Sequence, residues 1–239
     1  MTFNCKENYS MSNSKTKVLV LGGSGLLGSH CVKYFKKKFN LYWTFTDKEK
    51  KLLDKKSFYF KYPDKEKLIN YIDEINPNII INCIGFVSVD ESEKNEKLAY
   101  ELNVNIIKDI IKKLNSKNKQ KTFFVQISSG GVYGNHLNQK HKPWLEEDIL
   151  RPLSNYAKSK QEGENATKNY IGPYLILRTD FYGINLFKKK RTLLSWIITN
   201  AKYKEQIIGW ENIYFSPISA YKLCETLDKL LTKKVTGIF

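Results

Sequence analysis

The chain has 239 residues, 41% of them hydrophobic, and a formal net charge of +16. This length suits one large α/β domain with a full core. No run approaches the roughly 18 apolar residues that a membrane span requires, so we expect no membrane span. Residues 1–16 are polar and lack the pattern of a secretory signal, and we interpret them as a disordered N-terminal tail.

Cysteine and histidine usage bears on compartment and metal binding. The four cysteines form no C-x-x-C pair, which suits a reducing compartment and predicts a cytoplasmic protein. The three histidines make no metal-ligand pattern with the cysteines, so we expect no metal site.

The strong positive charge raises the question of nucleic-acid binding. Only three of the 40 basic residues are arginines, and the lysines are scattered over predicted helix faces and turns. Nucleic-acid sites favour arginine and interleave aromatic side chains for stacking. We therefore expect no nucleic-acid partner, although a positive field would steer an anionic, diphosphate-bearing substrate toward the protein.

The first motif of the chain is a glycine cluster between a predicted strand and a predicted helix. Residues 18–21 are apolar, as in a strand buried on both faces of a parallel sheet, and a helix is predicted over 26–38. Spaced glycines often serve only a turn, but this context indicates a dinucleotide site, with the phosphates at the helix N-terminus. The expected cofactor contacts are Gly22, Ser24, Gly25, Leu26, Leu27 and Gly28.

The second predicted strand, residues 41–46, ends at an acid. Asp47 stands about 20 residues past the glycines, where a carboxylate accepts hydrogen bonds from the ribose hydroxyls of NAD. Lys48, Lys50 and Lys51 follow at once and would suit the 2′-phosphate of NADP instead. The alternative is a loop carboxylate in solvent. The pattern favours NAD and leaves NADP open.

The next elements predict the fourth strand of a doubly wound sheet. A short strand over 57–60, a helix over 64–74 and a buried strand over 78–82 lead to a segment that should open toward the cofactor. We interpret Asp90 and Glu93 as loop and N-cap carboxylates. A single helix is predicted over 98–114. The candidate cofactor contacts are Cys83, Ile84, Gly85 and Asn103, and Val87 is a candidate substrate contact.

A fifth strand, residues 121–127, is followed by hydroxyl side chains. Side chains at the carboxyl end of a parallel strand face the ligand crevice. The loop that carries Ser128, Ser129 and Gly130 is therefore a candidate site, and Ser128 and Gly130 are candidate substrate contacts.

A helix predicted from the N-cap Ser154 to about residue 170 carries Tyr156 and Lys160, which share one face because they are four residues apart. A neighbouring ammonium would lower the pKa of a phenol, which is about 10 when free, and so make proton exchange feasible. A chance Tyr–Lys pair on a lysine-rich helix is the alternative. Both residues are catalytic candidates, and both are candidate cofactor contacts.

The last quarter of the chain predicts a strand over 173–177, a helix within 188–201, a short strand pair over 207–215 and a helix over 217–231. Residues 237–239 read as part of a strand. Tyr182 and Trp210 are candidate substrate contacts, although packing is the commoner role of tryptophan.

Taken in order, the motifs GGSGLLG, NCIG, VDESE, ISSGGVYG, YAKSK, ILRTDFYG and FSPIS resemble an extended short-chain dehydrogenase/reductase. More narrowly, they are similar to the dTDP-4-dehydrorhamnose reductases and their relatives that act on sugar nucleotides. Ser129, Tyr156 and Lys160 match the family's catalytic Ser/Thr, Tyr and Lys. The family usually carries a Thr-Asp pair after strand five, where this chain has Ser129 and Gly130, which puts the narrow substrate in doubt.

The resemblance implies an α/β fold with a doubly wound parallel sheet (a Rossmann fold) over 17–182 and a small, discontinuous substrate lobe over 183–239. It implies transfer of a hydride from NADH or NADPH to a keto group of a nucleotide-diphosphate sugar. Ser129 would bond the carbonyl oxygen, Tyr156 would donate the proton, and Lys160 would lower the Tyr156 pKa and hold the nicotinamide ribose. A homodimer is compatible with this family.

Two alternatives remain open at this stage. One is a sugar-nucleotide epimerase or dehydratase, and the other is a non-catalytic, nucleotide-binding partner subunit. Family members continue for several dozen residues past the strand at 237–239. The resemblance therefore implies weak turnover unless a partner completes the pocket, and uncovered apolar surface near residues 227–239.

Overall fold

The computed structural model describes residues 15–46, 55–116, 121–134, 143–187, 192–203, 206, 209, 211 and 216–239. The strands in these ranges are β1 (Lys17–Leu21), β2 (Asn40–Phe45), β3 (Ser57–Tyr59), β4 (Ile79–Asn82), β5 (Phe123–Ile127), β6 (Tyr174–Leu177), β7 (Phe181–Tyr182), β8 (Ile218–Ser219) and β9 (Gly237–Ile238). The α-helices are α1 (Leu26–Phe35), α2 (Lys65–Ile75), α3 (Val89–Lys94), α4 (Glu96–Tyr100), α5 (Ile106–Ser116), α6 (Asn155–Lys168), α7 (Leu193–Tyr203) and α8 (Ala220–Thr232).

Seven strands form one parallel sheet in the order β3-β2-β1-β4-β5-β6-β9. The chain winds outward from β1 in one direction and from β4 in the other, so β1 and β4 flank the switch point of a doubly wound sheet. Ligands of such sheets bind outside the carboxyl ends of the strands at this point. The predicted fold class is confirmed. Each predicted strand of the sheet is present within two residues of its expected bounds.

The sheet buries both of its faces, as its apolar strands require. Val18 and Val20 of β1 face a core shared with α1 and α8, whereas Leu19 and Leu21 face a core shared with α2, α5 and α6. All four side chains are 0% exposed. Alternation along one strand thus anchors helices on both sides of the sheet.

The helix predicted over 98–114 is present, but it is not α-helical throughout. The structure has α4, then a π-helical turn at Glu101–Asn105, then α5. Such turns insert an extra residue into a helix and often occur at functional sites. This one contains Asn103, whose side chain is buried. The amide of Asn103 makes tertiary hydrogen bonds at this turn. The helical periodicity of the sequence gives no indication of such bonds.

Asp90 and Glu93 lie in α3 and not in a loop, so that part of the prediction is wrong. Ser88 is the N-cap of α3, because its hydroxyl accepts from the Glu91 N–H. Glu93 nevertheless acts at a helix N-terminus, since its Oε1 accepts from the backbone N–H of Asn155, the first residue of α6, at 2.7 Å.

The chain beyond β6 adds a separate two-stranded parallel sheet of β7 and β8, together with α7. The strand pair predicted over 207–215 lies outside the described residues, except for 209 and 211. The expectation of uncovered apolar surface is wrong for α8, because Leu227 and Leu231 are buried in the core beside α1; Phe239 is 44% exposed. None of the helices in the described ranges has the length and apolarity that crossing a membrane requires.

Candidate active site

The loop between β1 and α1 passes so close to its neighbours that two of its positions require glycine. Gly22 has φ +73°, and a Cβ there would stand 3.0 Å from the backbone of Cys83, which follows β4. A Cβ on Gly28 would stand 2.2 Å from the carbonyl oxygen of Gly22. The loop is therefore drawn tightly over the switch point, with α1 packed directly against it.

The N-terminus of α1 offers free backbone donors to an anion. Its N-cap is Gly25, which is exposed and has no side chain to bond the N–H groups of the first turn, and that turn carries no acidic residue. These N–H groups have no partner within the helix, and the helix dipole is positive at this end. Leu26, Leu27 and Gly28, which are predicted cofactor contacts, lie in this first turn, and a helix N-terminus of this kind suits an anion.

Two polar side chains that the sequence did not single out hold this loop. The Thr44 hydroxyl on β2 accepts from the Gly22 N–H at 2.8 Å, and the Asn185 amide donates to the Ser24 carbonyl at 3.0 Å. Ser24 is buried, and its hydroxyl accepts from the Thr46 N–H at 3.4 Å. A threonine in an apolar strand was the available signal for Thr44. Asn185 comes from a segment 161 residues away and had none.

Two predicted contacts cannot be placed. Asp47, the expected ribose acid, and Trp210, an expected substrate contact, lie outside the described residues. Both assignments stay predictions. The end of β2 does lie beside the glycine loop, as the bond between Thr46 and Ser24 indicates.

Asn103 ties the segment after β4 to α6. Its Oδ1 accepts from the Phe86 N–H at 2.8 Å, and its Nδ2 donates to the Phe86 carbonyl at 3.1 Å and to the Ser159 hydroxyl at 2.8 Å. Both amide hydrogens are used within the protein, and the side chain is 1% exposed. Asn103 therefore positions the predicted contacts Cys83, Ile84 and Gly85. A direct contact of Asn103 with a cofactor stays a prediction.

Ser129, Tyr156 and an unforeseen acid meet at the carboxyl ends of β5 and β6. The Ser129 Oγ accepts from the Gly131 N–H at 3.1 Å and donates to Asp180 Oδ1 at 3.3 Å. The Ser129 hydroxyl also lies close enough to the Tyr156 phenol to lower its pKa. The predicted proximity of Ser129 and Tyr156 is therefore present. Asp180 stood inside the LRTDFYG motif, three residues past the predicted strand over 173–177, and that position was the signal for it.

The electrostatics of Tyr156 differ from the prediction. Burial raises the pKa of Tyr156, the Ser129 hydroxyl lowers it, and the Asp180 charge raises it, with a net rise. Lys160 Nζ instead donates to the carbonyl of Ile127 at 2.6 Å, and burial lowers the pKa of Lys160 to about 8 against smaller opposing effects of Glu164 and Cys83. Lys160 is not among the groups that shift the Tyr156 pKa here, and burial of the phenol is the largest effect.

Ser128 supports the site from behind and has its hydroxyl engaged in the core. The hydroxyl donates to Glu164 Oε1 at 2.5 Å, and Ser128 is 3% exposed. Glu164 also pairs with Arg178 at 2.8 Å, and both side chains are almost fully buried. The Ser128 hydroxyl therefore belongs to a buried ion-pair network that joins α6 to the end of β6. It is not positioned for the substrate contact that was expected of it.

The remaining substrate candidates lie at the rim of the crevice. Val87 is 70% exposed and Tyr182 is 41% exposed. Gly130 begins a 3₁₀ turn, Gly130–Tyr133, with Ser129 as its N-cap. Exposed apolar side chains beside a polar centre are compatible with a ligand-binding edge.

The model of one protein family, described as the RmlD substrate binding domain, matches residues 16–239. The chain belongs to this family. Among its curated relatives, a dTDP-4-dehydrorhamnose reductase of Aggregatibacter actinomycetemcomitans is 32% identical over 129 residues, which are 52% of this chain and 42% of that protein. The methionine adenosyltransferase 2 subunit beta of Rattus norvegicus is 27% identical over 70% of this chain and 47% of that protein. This RmlD-type chain spans about half the length of these relatives.

Solved structures support the same family fold. A dTDP-4-dehydrorhamnose reductase of Bacillus anthracis in complex with NADP is 25% identical, with a TM-score of 0.76 over 94% of this chain and 73% of that one. The UDP-glucose 4-epimerase of Thermus thermophilus in complex with NAD has a TM-score of 0.78 at 20% identity, over 94% of this chain and 76% of that one, which shows the fold alone. Structural neighbours of this RmlD-type chain thus hold NADP or NAD.

Proposed function

We propose that this protein is an NAD(P)-dependent reductase of a nucleotide-activated keto sugar, similar to dTDP-4-dehydrorhamnose reductase. The observation that carries the proposal is the junction of two features at one crevice. A glycine loop with an uncapped helix N-terminus stands at the switch point, and a Ser129–Tyr156 pair with the buried Lys160 stands two strands away.

The residues of the chain divide the work between binding and proton transfer. The N–H groups of α1 bind the diphosphate of the dinucleotide, and the segment held by Asn103 shapes the adjoining wall. A bound reduced nicotinamide supplies the hydride. Tyr156 donates its proton to the oxygen of the keto group as negative charge develops there, and Ser129 orients the phenol. Solvent then returns a proton to Tyr156.

The family and the neighbours support this assignment. Two reductases of dTDP-4-dehydrorhamnose are among the similar proteins, and one of them is a complex with NADP. The assay described next decides between NADH and NADPH and identifies the sugar. A homodimer and a cytoplasmic location remain predictions from the sequence.

The test is a panel of nucleotide-linked 4-keto sugars, with NADH or NADPH consumption followed by absorbance. Tyr156→Phe is the matched variant, because it removes only the hydroxyl. We expect turnover to fall by about 10²–10⁴-fold, the usual contribution of general acid catalysis. Dinucleotide affinity by calorimetry should stay unchanged. Equal turnover in both proteins would overturn the mechanism.

A second candidate function is that of a partner subunit. It is favoured by the similarity to methionine adenosyltransferase 2 subunit beta, whose name describes a subunit. In that case the protein would bind dinucleotide and consume none with any sugar of the panel. The same assay therefore separates the two functions.

A further inference from the structure

A short segment from the C-terminal part of the chain lies along α1. We name residues 183–187, which follow β7, the strap. The carbonyl of Ile184 accepts a hydrogen bond from His30 Nε2 at 3.1 Å, and the Leu186 N–H donates to the Ser29 hydroxyl at 3.2 Å. His30 and Ser29 both belong to α1. The strap is therefore bonded to the helix whose N-terminus is the candidate diphosphate site.

Asn185, at the centre of the strap, reaches the glycine loop itself. Its Nδ2 donates to the Ser24 carbonyl at 3.0 Å, and its Oδ1 accepts from the Phe187 N–H at 2.9 Å. The nitrogen faces an acceptor and the oxygen faces a donor, which fixes the orientation of the carboxamide. Asn185 is 7% exposed and Ser24 is 2% exposed, so the bond between them is buried. A buried carbonyl that lost this donor would be costly to leave unpaired.

The bond from Asn185 sets the direction of the peptide group that precedes α1. The Gly25 N–H of this peptide donates to the Gly22 carbonyl at 2.9 Å, and the peptide is trans, so its Ser24 carbonyl points to the opposite side. An anion site at a helix N-terminus requires N–H groups, not carbonyl oxygens, to face the ligand. Without the Asn185 donor, the unpaired carbonyl regains water only by turning toward the open end of α1, where its oxygen would repel a diphosphate.

We propose that Asn185 is a positioning residue of the dinucleotide site, which acts through the Ser24 carbonyl and keeps that oxygen turned away from the diphosphate. The dinucleotide site then extends into the strap, which the sequence assigned to the substrate lobe. The dependence is reciprocal by linkage, because a dinucleotide that binds the held loop also stabilises the bonds that hold it. The proposal rests on the dinucleotide site of the proposed function, but not on the sugar or on hydride transfer.

The first test is dinucleotide affinity in the full chain, measured by calorimetry with NADH and with NADPH. Asn185→Leu keeps the approximate shape of the side chain and removes its donor. We expect a loss of affinity of about 10-fold to 100-fold, the range that corresponds to an unsatisfied buried carbonyl. The loss should be as large for ADP-ribose, which carries the diphosphate without the nicotinamide. A loss confined to the complete dinucleotides would contradict a role at the glycine loop.

Asn115 offers a matched control, because it makes the same pair of bonds elsewhere. Its Nδ2 donates to the Asn169 carbonyl at 2.9 Å and its Oδ1 accepts from the Ile171 N–H at 3.2 Å, near the end of α5. Asn115→Leu should lower the unfolding temperature and leave dinucleotide affinity unchanged. Equal affinities in the unmodified protein and in Asn185→Leu would overturn the proposal. So would an equal loss in Asn115→Leu, since the effect would then be one of stability alone.

Hydrogen exchange in the unmodified protein tests the reciprocal effect without any substitution. The Leu186 and Phe187 amides donate to Ser29 and to Asn185, so their exchange reports whether the strap is bonded. Saturation with the tighter-binding dinucleotide should slow both amides and leave the Ile171 amide unchanged. Unchanged exchange of the strap amides would contradict the proposal even if Asn185→Leu failed to fold.

The outcomes separate this proposal from the proposed function. A protein that shows both effects and consumes dinucleotide with no keto sugar would count against the reductase function alone. A protein that reduces a keto sugar, and whose affinity does not depend on Asn185, would count against this proposal alone. No detectable binding of either dinucleotide by the unmodified protein would overturn both.

Discussion

The two halves of the candidate site are built from different materials. The cofactor half, between β1 and α1, is made of backbone: glycines, helix N–H groups, and backbone N–H groups that donate to the Thr44 and Ser24 hydroxyls. The catalytic half, between β5, α6 and β6, is made of polar side chains taken out of water. Its centre combines Lys160, 6% exposed, with Ser129, also 6% exposed, beside Asp180.

Because of this difference, we expect substitutions in the two halves to change stability in opposite directions. In the cofactor half, the same close contacts hold the fold and shape the candidate phosphate site, so a change in the geometry of the loop should also change stability. In the catalytic half, the functional arrangement lowers stability, because a buried ammonium costs free energy that other interactions of the fold must offset. Substitutions in each half test this contrast.

Gly28→Ala should have the largest effect. The new Cβ would stand 2.2 Å from the Gly22 carbonyl oxygen, and both contacting groups are backbone, so the loop must move away from α1. Overpacking of this kind costs about 3 kcal/mol, which corresponds to a loss of dinucleotide affinity of about 100-fold if the loop bears it. Calorimetry for binding and thermal unfolding for stability measure the two losses together.

The control for this change is Gly183→Ala, whose Cβ would meet its neighbours at 3.4 Å or more. It should alter the unfolding temperature little. Normal dinucleotide affinity in Gly28→Ala would show that the loop does not need this packing.

Lys160→Met should raise stability at neutral pH while turnover is lost. The unfolded lysine keeps a pKa near 10.5 and the folded one has a pKa of about 8, so the unfolded state binds more protons between these values and stability rises with pH there. Below pH 8 the buried charge costs about 3 kcal/mol, which the methionine variant would recover. In this variant the Ile127 carbonyl loses its hydrogen-bond donor, which offsets about 1–3 kcal/mol of that gain. Denaturant unfolding from pH 7 to 10.5 measures the difference in unfolding free energy between the variant and the unmodified protein.

The advantage of the methionine variant over the unmodified protein should shrink as the pH rises through this window. Lys158→Met, on the exposed face of the same helix, is the matched control and should show no such trend. A constant difference in unfolding free energy across the window would mean that Lys160 is not buried as an ammonium.

Thr44→Val should have the smallest effect. It keeps the shape of a buried side chain and removes the hydroxyl that accepts from the Gly22 N–H at 2.8 Å. We expect a loss of about 1 kcal/mol in unfolding free energy with a weaker dinucleotide affinity, because both depend on the same loop. A change in stability with no change in affinity would separate two properties that the contrast above joins.

The sequence by itself determined the sheet and the glycine loop between β1 and α1. Four consecutive apolar residues before Gly22 predict a doubly buried strand, and the three glycines predict its tight join to a helix, because both signals are local in the chain. The order of the motifs placed Ser129, Tyr156 and Lys160 at one edge of the sheet. The strand and loop predictions need only spacing, side-chain chemistry and the rule that parallel strands end together, whereas the roles of Ser129, Tyr156 and Lys160 came from the family resemblance.

Only the tertiary structure decided how those side chains are used. Asp180 meets Ser129 across 51 residues of chain, and Asn103 meets Ser159 across 56. The Ser128 hydroxyl donates to Glu164 and Lys160 donates to the Ile127 carbonyl, although sequence spacing favoured other partners. Burial then raises the pKa of Tyr156 and lowers that of Lys160. Desolvation depends on what the whole fold places around a group, and no local pattern carries that information.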